Sequence, residues 1–115
     1  ESGLRMIQKI MDVVRNAAGR FTANVPAVYT DIQTSEITKY NADGSIASKE
    51  KSTLPSSNVL TFDYGDRWFC LRPSGTEPKI KIYFGGIADN LDTAHDKAIK
   101  LKEEVVGKIM PIIKK

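Results

Sequence analysis

Residues 58–86 read NVLTFDYGDRWFCLRPSGTEPKIKIYFGG. Three runs rich in β-branched and aromatic residues, at 58–64, 67–71 and 80–84, are separated by turn-forming residues, which predicts three strands. Asp63-Tyr64-Gly65-Asp66 predicts a hairpin turn with Gly65 at its tight position. In the third run Ile80, Ile82 and Phe84 alternate with Lys79, Lys81 and Tyr83, so one face is buried and the other solvated. Gly85-Gly86 marks its end. Strands joined by connections this short pair antiparallel, because a parallel pair needs a long crossover.

Outward from this centre, residues 27–40 carry Val28, Tyr29, Thr30, Ile32, Thr34, Ile37, Thr38 and Tyr40. They predict one long strand, or two short ones broken near Ser35. Asn41-Ala42-Asp43-Gly44 predicts a turn, and residues 44–57 read as a polar surface connection. At the N-terminus Leu4, Ile7, Met11, Val14 and Ala18 recur at spacings of three and four, which predicts a helix. Ser2 is its candidate N-cap and Gly19 its stop, with Arg15 and Arg20 near the negative end of its dipole. At the C-terminus Leu91, Ala94, Ala98, Leu101, Val105 and Ile109 form the stripe of a second helix. Asp89 or Asn90 caps it, Asp96–Lys100 and Glu104–Lys108 support it, and Pro111 ends or kinks it. The expected fold is α+β: one domain over residues 1–115, with an antiparallel sheet of about four strands and both helices packed on one face.

Composition agrees with a globular domain. The 115 residues are 41% hydrophobic and 27% charged. No apolar run approaches the ~20 residues of a membrane span. The formal charge is +3, which permits an anionic partner without requiring one. Cys70 is alone, so no intrachain disulfide is available, and a reducing, cytoplasmic setting is expected with Cys70 as a small core residue. His95 is also alone; the two supply no zinc-ligand spacing, and no metal ligands are assigned. Trp68 suits either the core or an interdomain face, while Phe21, Tyr29 and Tyr40 suit packing. The chain opens on Glu1 without a signal-peptide pattern, which suggests a piece of a longer polypeptide.

Chemistry concentrates in Arg72-Pro73-Ser74-Gly75-Thr76-Glu77-Pro78-Lys79. Arg72 offers a planar fork of donors to an oxyanion. Ser74 and Thr76 add hydroxyls, and Gly75 lets the backbone approach a ligand. Pro73 and Pro78 stiffen the loop, and Lys79 and Lys81 add positive charge on one strand face. Glu77 should turn away and pair with Arg72, Lys79 or Lys81. The nucleotide P-loop pattern is absent. By composition alone, a plain tight turn is the more ordinary reading.

Residues 72–84, together with the preceding Leu54-Pro55-Ser56-Ser57-Asn58-Val59-Leu60, resemble the phosphate-binding segment of the α-D-phosphohexomutase superfamily, in particular its bacterial phosphoglucomutase/phosphomannomutase branch. The resemblance implies the fourth domain of a four-domain enzyme that interconverts hexose 1- and 6-phosphates. Arg72, Ser74, Gly75 and Thr76 match the clamp on the substrate phosphate, with Lys79 first and Lys81 second as the added cation. The catalytic phosphoserine, the Mg²⁺ site and the sugar-recognition loop are expected in the other domains. The fragment by itself therefore has no catalytic residue and no cofactor, and it is expected to swing closed on ligand. Its implied partners are a hexose phosphate and the other domains of the same polypeptide, with no nucleic acid or membrane. Two alternatives fit the residues less fully: a nucleic-acid-binding module using Lys79, Lys81 and Tyr83, and a structural or interaction domain whose loop is only a turn.

Overall fold

The computed structural model describes residues 2–53, 55–74, 77 and 79–114. Helix α1 (Ser2–Asn16) leads through a 3₁₀ turn (Ala18–Arg20) into strands β1 (Val28–Asp31), β2 (Glu36–Tyr40), β3 (Ile46–Lys51), β4 (Leu60–Asp63), β5 (Arg67–Pro73) and β6 (Ile80–Gly86), and then into helix α2 (Leu91–Lys114). The strands form one sheet in the order β3-β2-β1-β4-β5-β6. Every neighbouring pair is antiparallel.

The sheet has six strands rather than about four. The 27–40 run is two strands, turning at Ser35, whose φ is 59°. The other addition is β3, which lies in the segment read as a surface connection. It is an edge strand, almost wholly exposed on both faces, so it carries no alternating pattern. Its charges make cross-strand pairs: Lys39 with Glu50 at 3.0 Å and Lys49 with Glu36 at 3.6 Å. A charged edge of this kind discourages pairing with another chain.

Both helices lie on one face of the sheet, over a core in which Phe62 and Phe69 stack at 4.4 Å. Ile10, Met11 and Val14 of α1 and Leu101, Val105 and Ile109 of α2 complete it. Ile10, absent from the expected stripe, is as buried as its neighbours. Phe21 and Tyr29 are in this core and Tyr40 packs against it. The side chains of Ser2 and Leu4 lie outside the described residues. Gly19 falls within the 3₁₀ turn instead of stopping α1; a Cβ there would stand 3.1 Å from the Tyr40 ring, so its role is close packing.

Helix α2 departs from expectation in three places. Asn90 caps it, its side-chain oxygen accepting from the Thr93 N–H at 2.8 Å. Leu91, however, is 87% exposed, because the helix meets the sheet only from Ala94 onward. The helix also continues through Pro111 to Lys114. The N–H missing at Pro111 would have bonded the carbonyl of Gly107, an exposed residue with open space around it, so solvent can satisfy that group. Neither Asp96–Lys100 nor Glu104–Lys108 forms an ion pair among the described residues; Glu104 accepts from the Ala23 N–H instead.

Parity along β5 places Phe69 and Leu71 in the core and Trp68, Cys70 and Arg72 on the helix-free face. Cys70 is therefore half-buried outside the main core, where burial pushes its thiol up. Trp68 is on that open face, its ring lying against Gly85. His95 is exposed on α2.

The β4–β5 turn is tied to α2 through Asp66, which accepts from Arg67 Nε at 3.1 Å and pairs with Lys97 Nζ at 3.2 Å. The Arg67 hydrogen bond, aided by Lys97, holds its carboxyl at about 2. This lies below the ~3.9 of an unfolded aspartate. The contact thus adds stability above that unfolded value and loses it as pH falls toward 2. Thermal melts between pH 2 and 6 should show Asp66→Asn converging on the parent at the acid end and diverging above pH 4.

Candidate phosphate-binding site

The loop named by the sequence is the tip of the β5–β6 hairpin. Pro73 pairs with Ile80, and the Ser74 N–H donates to the Lys79 carbonyl at 2.9 Å, closing the ladder one step beyond the strands. Lys79 N–H in turn donates to the Glu77 carbonyl at 2.7 Å. Gly75, Thr76 and Pro78 lie outside the described residues, as does Leu54 upstream. The hairpin ends beside the entry to β4, because Leu60 pairs with Leu71 and brings Ser57 and Asn58 alongside the last residues of β5.

Arg72, Pro73, Ser74 and Glu77 line a cleft of about 430 Å³, together with Ser57 and Asn58 from the entry to β4 and Ile7 and Gln8 from α1. Ser74 is half-buried and Arg72 is exposed. Arg72 makes no ion pair among the described residues. Glu77 instead pairs with Lys79, Nζ to Oε2 at 3.5 Å, and keeps its place along the cleft. Lys81 stands directly across the ladder from Arg72, on the same helix-free face. Arg72 lowers the Cys70 thiol against the larger effect of burial, so its charge is felt along that face.

Of the cleft residues outside the hairpin, Ser57 and Asn58 lie in the 54–60 run that carries the family resemblance but were given no role of their own, and Gln8 carried no functional signal in the sequence. They come from elements distant in the chain, and only pairing of β4 with β5 and packing of α1 bring them to the hairpin. Gln8 donates to Asp12 at 2.8 Å. Asn58 accepts from Arg15 Nη2 at 2.9 Å.

A larger cleft of about 750 Å³ runs between the end of α1 and the β1–β3 side of the sheet. Four of its charges pair with one another, Arg15 with Asp31 at 2.7 Å and Lys49 with Glu36, and Asp43 accepts from the Ser45 hydroxyl. Size alone therefore does not make it the better anion site. Among the described residues no group of three or more His, Cys, Asp or Glu is placed to hold a metal ion. Among them, too, no helix is long and apolar enough to cross a membrane.

The model of the phosphoglucomutase/phosphomannomutase C-terminal domain family matches residues 4–101. The phosphoglucomutase of Staphylococcus saprophyticus is 33% identical over 93 residues, covering 80% of this chain and 16% of its own. That of Staphylococcus haemolyticus is 29% identical over 90 residues, covering 78% and 16%. That of Staphylococcus aureus strain USA300 is 40% identical over 67 residues, covering 58% and 11%. The chain thus spans only about a sixth of the S. saprophyticus and S. haemolyticus relatives' length, 16% in each. No solved structure matches it.

Proposed function

The chain belongs to the phosphoglucomutase/phosphomannomutase C-terminal domain family, and we propose that within it the β5–β6 hairpin clamps the non-reacting phosphate of a hexose phosphate. The observation that carries this reading is the placement of Arg72 and Ser74 along one cleft, with no carboxylate paired to Arg72 among the described residues. A guanidinium engages two phosphate oxygens at once, and a hydroxyl and backbone N–H groups add single donors. Gly75 and Thr76 are assigned to the same clamp.

The geometry favours Lys81 over Lys79 as the added cation. Glu77 partly neutralises Lys79, whereas Lys81 is the cross-strand neighbour of Arg72. Two cations side by side on a ladder repel each other, and a doubly charged phosphate between them removes that penalty.

In this reading the domain is one part of a longer mutase that interconverts hexose 1- and 6-phosphates, and it performs none of the bond changes. Holding one phosphate aims the opposite hydroxyl at the phosphoryl donor, so remote binding energy assists the transfer. Because each end of the sugar must visit the clamp in turn, the clamp reads phosphate and little of the ring. The phosphoserine and the magnesium site are assigned to the other domains of the polypeptide. Closure of this domain on substrate would exclude water from the phosphoenzyme.

An NMR titration of the ¹⁵N-labelled chain tests the clamp. Inorganic phosphate and glucose 6-phosphate should shift Ser74 and the Arg72 side chain, and glucose should not. Shifts confined to an oligonucleotide, or equal shifts with glucose, would refute the reading.

A further inference from the structure

The entry to β4 presents a side chain whose orientation is dictated by chemistry. Arg15 of α1 donates through Nε to Asp31 Oδ2 at 2.7 Å and through Nη2 to Asn58 Oδ1 at 2.9 Å. Asp31 is 4% exposed, and its other oxygen accepts from the backbone N–H groups of Gln33 and Thr34. The carboxylate is thus fixed by the β1–β2 turn, and it fixes the guanidinium. A guanidinium has donors only, so the group facing it from Asn58 must be the carboxamide oxygen. The Asn58 NH₂ is then forced onto the opposite edge of the planar amide, away from Arg15. It donates to none of the described residues, and Asn58 lines the cleft that holds Arg72 and Ser74.

We infer that Asn58 is a further anion-binding residue of this cleft, its NH₂ donating to a phosphate oxygen, and that Arg15 is a positioning residue that acts through it. The inference rests on the phosphate-clamp reading above. Chemically, the arrangement lines one cleft with a neutral double donor and the charged fork of Arg72, so a tetrahedral anion is gripped from the entry to β4 as well as from the β5–β6 hairpin. The part-buried relay Asp31–Arg15–Asn58 keeps that donor from rotating its oxygen toward the anion, where it would repel. A pre-oriented donor loses little rotamer freedom on binding.

Two substitutions at Asn58 separate this role from a structural one, because they rank oppositely. Asn58→Asp keeps an oxygen for Arg15 but replaces the NH₂ with a charged oxygen facing the anion. Asn58→Ala loses the Arg15 contact and leaves the anion only one donor short. If Asn58 contacts phosphate, the alanine variant of the chain should bind inorganic phosphate about tenfold more weakly, and the aspartate variant about a hundredfold. The Asn58 side-chain NH₂ resonances of the unsubstituted chain should shift with the same dissociation constant as Ser74. If Asn58 only holds Arg15, the aspartate variant will bind better than the alanine variant and melt higher, and the NH₂ resonances will stay put; that result overturns the inference and leaves the clamp standing. Failure of phosphate to shift Ser74 at all would overturn both.

Discussion

Arg72→Ala should weaken binding of inorganic phosphate to the chain by about 30- to 100-fold while leaving its melting temperature within a degree or two. The expectation follows from exposure. Arg72 is on the helix-free face at the end of β5, pairs with no carboxylate among the described residues and buries none of the core. Truncating it therefore removes charge-assisted donors, worth about 1.5–3 kcal/mol each, without opening a cavity. Arg72→Lys should recover only part of the loss, since an ammonium is a point charge without the planar fork. In a full-length mutase carrying this domain, Arg72→Ala should lower kcat/KM for both the 1- and the 6-phosphate, because in the proposed clamp either end visits the same residues. Isothermal titration at low ionic strength and steady-state kinetics check the two statements. Unchanged affinity and unchanged kinetics would reduce the loop to a connection.

Gly86→Ala should destabilise the fold by about 3 kcal/mol, as overpacking against an element that cannot yield does. The added Cβ would be 2.1 Å from the backbone oxygen of Ala94 and 3.1 Å from Lys97 Cβ. The end of β6 and the start of α2 approach backbone to backbone at this point, and Lys97 is already anchored to Ile87 and Asp66. Relief requires lifting the helix from the sheet, which would pull Leu101 and Val105 out of the core. Gly107→Ala provides the control of opposite sign. It is exposed on α2 with nothing within 4 Å of the new Cβ, so the substitution should stabilise by about 0.5–1 kcal/mol through helix propensity alone. Paired thermal melts give both values; a Gly86→Ala melt at or above the parent's would refute the packing argument.

Antiparallel pairing around Gly65, the alternation of Ile80, Ile82 and Phe84, and the helical stripes could be read locally, because each depends on residues a few positions apart. The same is true of the 72–79 hairpin as a candidate, since its donors are contiguous. Strand β3 escaped because an edge strand exposed on both faces has no periodicity to detect. Cys70 was misplaced because an apolar-looking residue between Phe69 and Leu71 must, by strand parity, face away from both. Leu91 fitted the helical stripe yet lies ahead of the point where α2 reaches the sheet.

Local order along the chain determined the α+β class, the antiparallel hairpins and the loop that carries the guanidinium and hydroxyls, since hydrogen bonding and side-chain direction repeat over two or about four residues. Tertiary packing alone decided what surrounds that loop. Lys81 faces Arg72 across the ladder, and Asn58 is turned by an arginine forty-three positions away. Charge pairing and amide orientation depend on distances between segments, and those distances exist only once α1 and β4 have been packed against the end of β5.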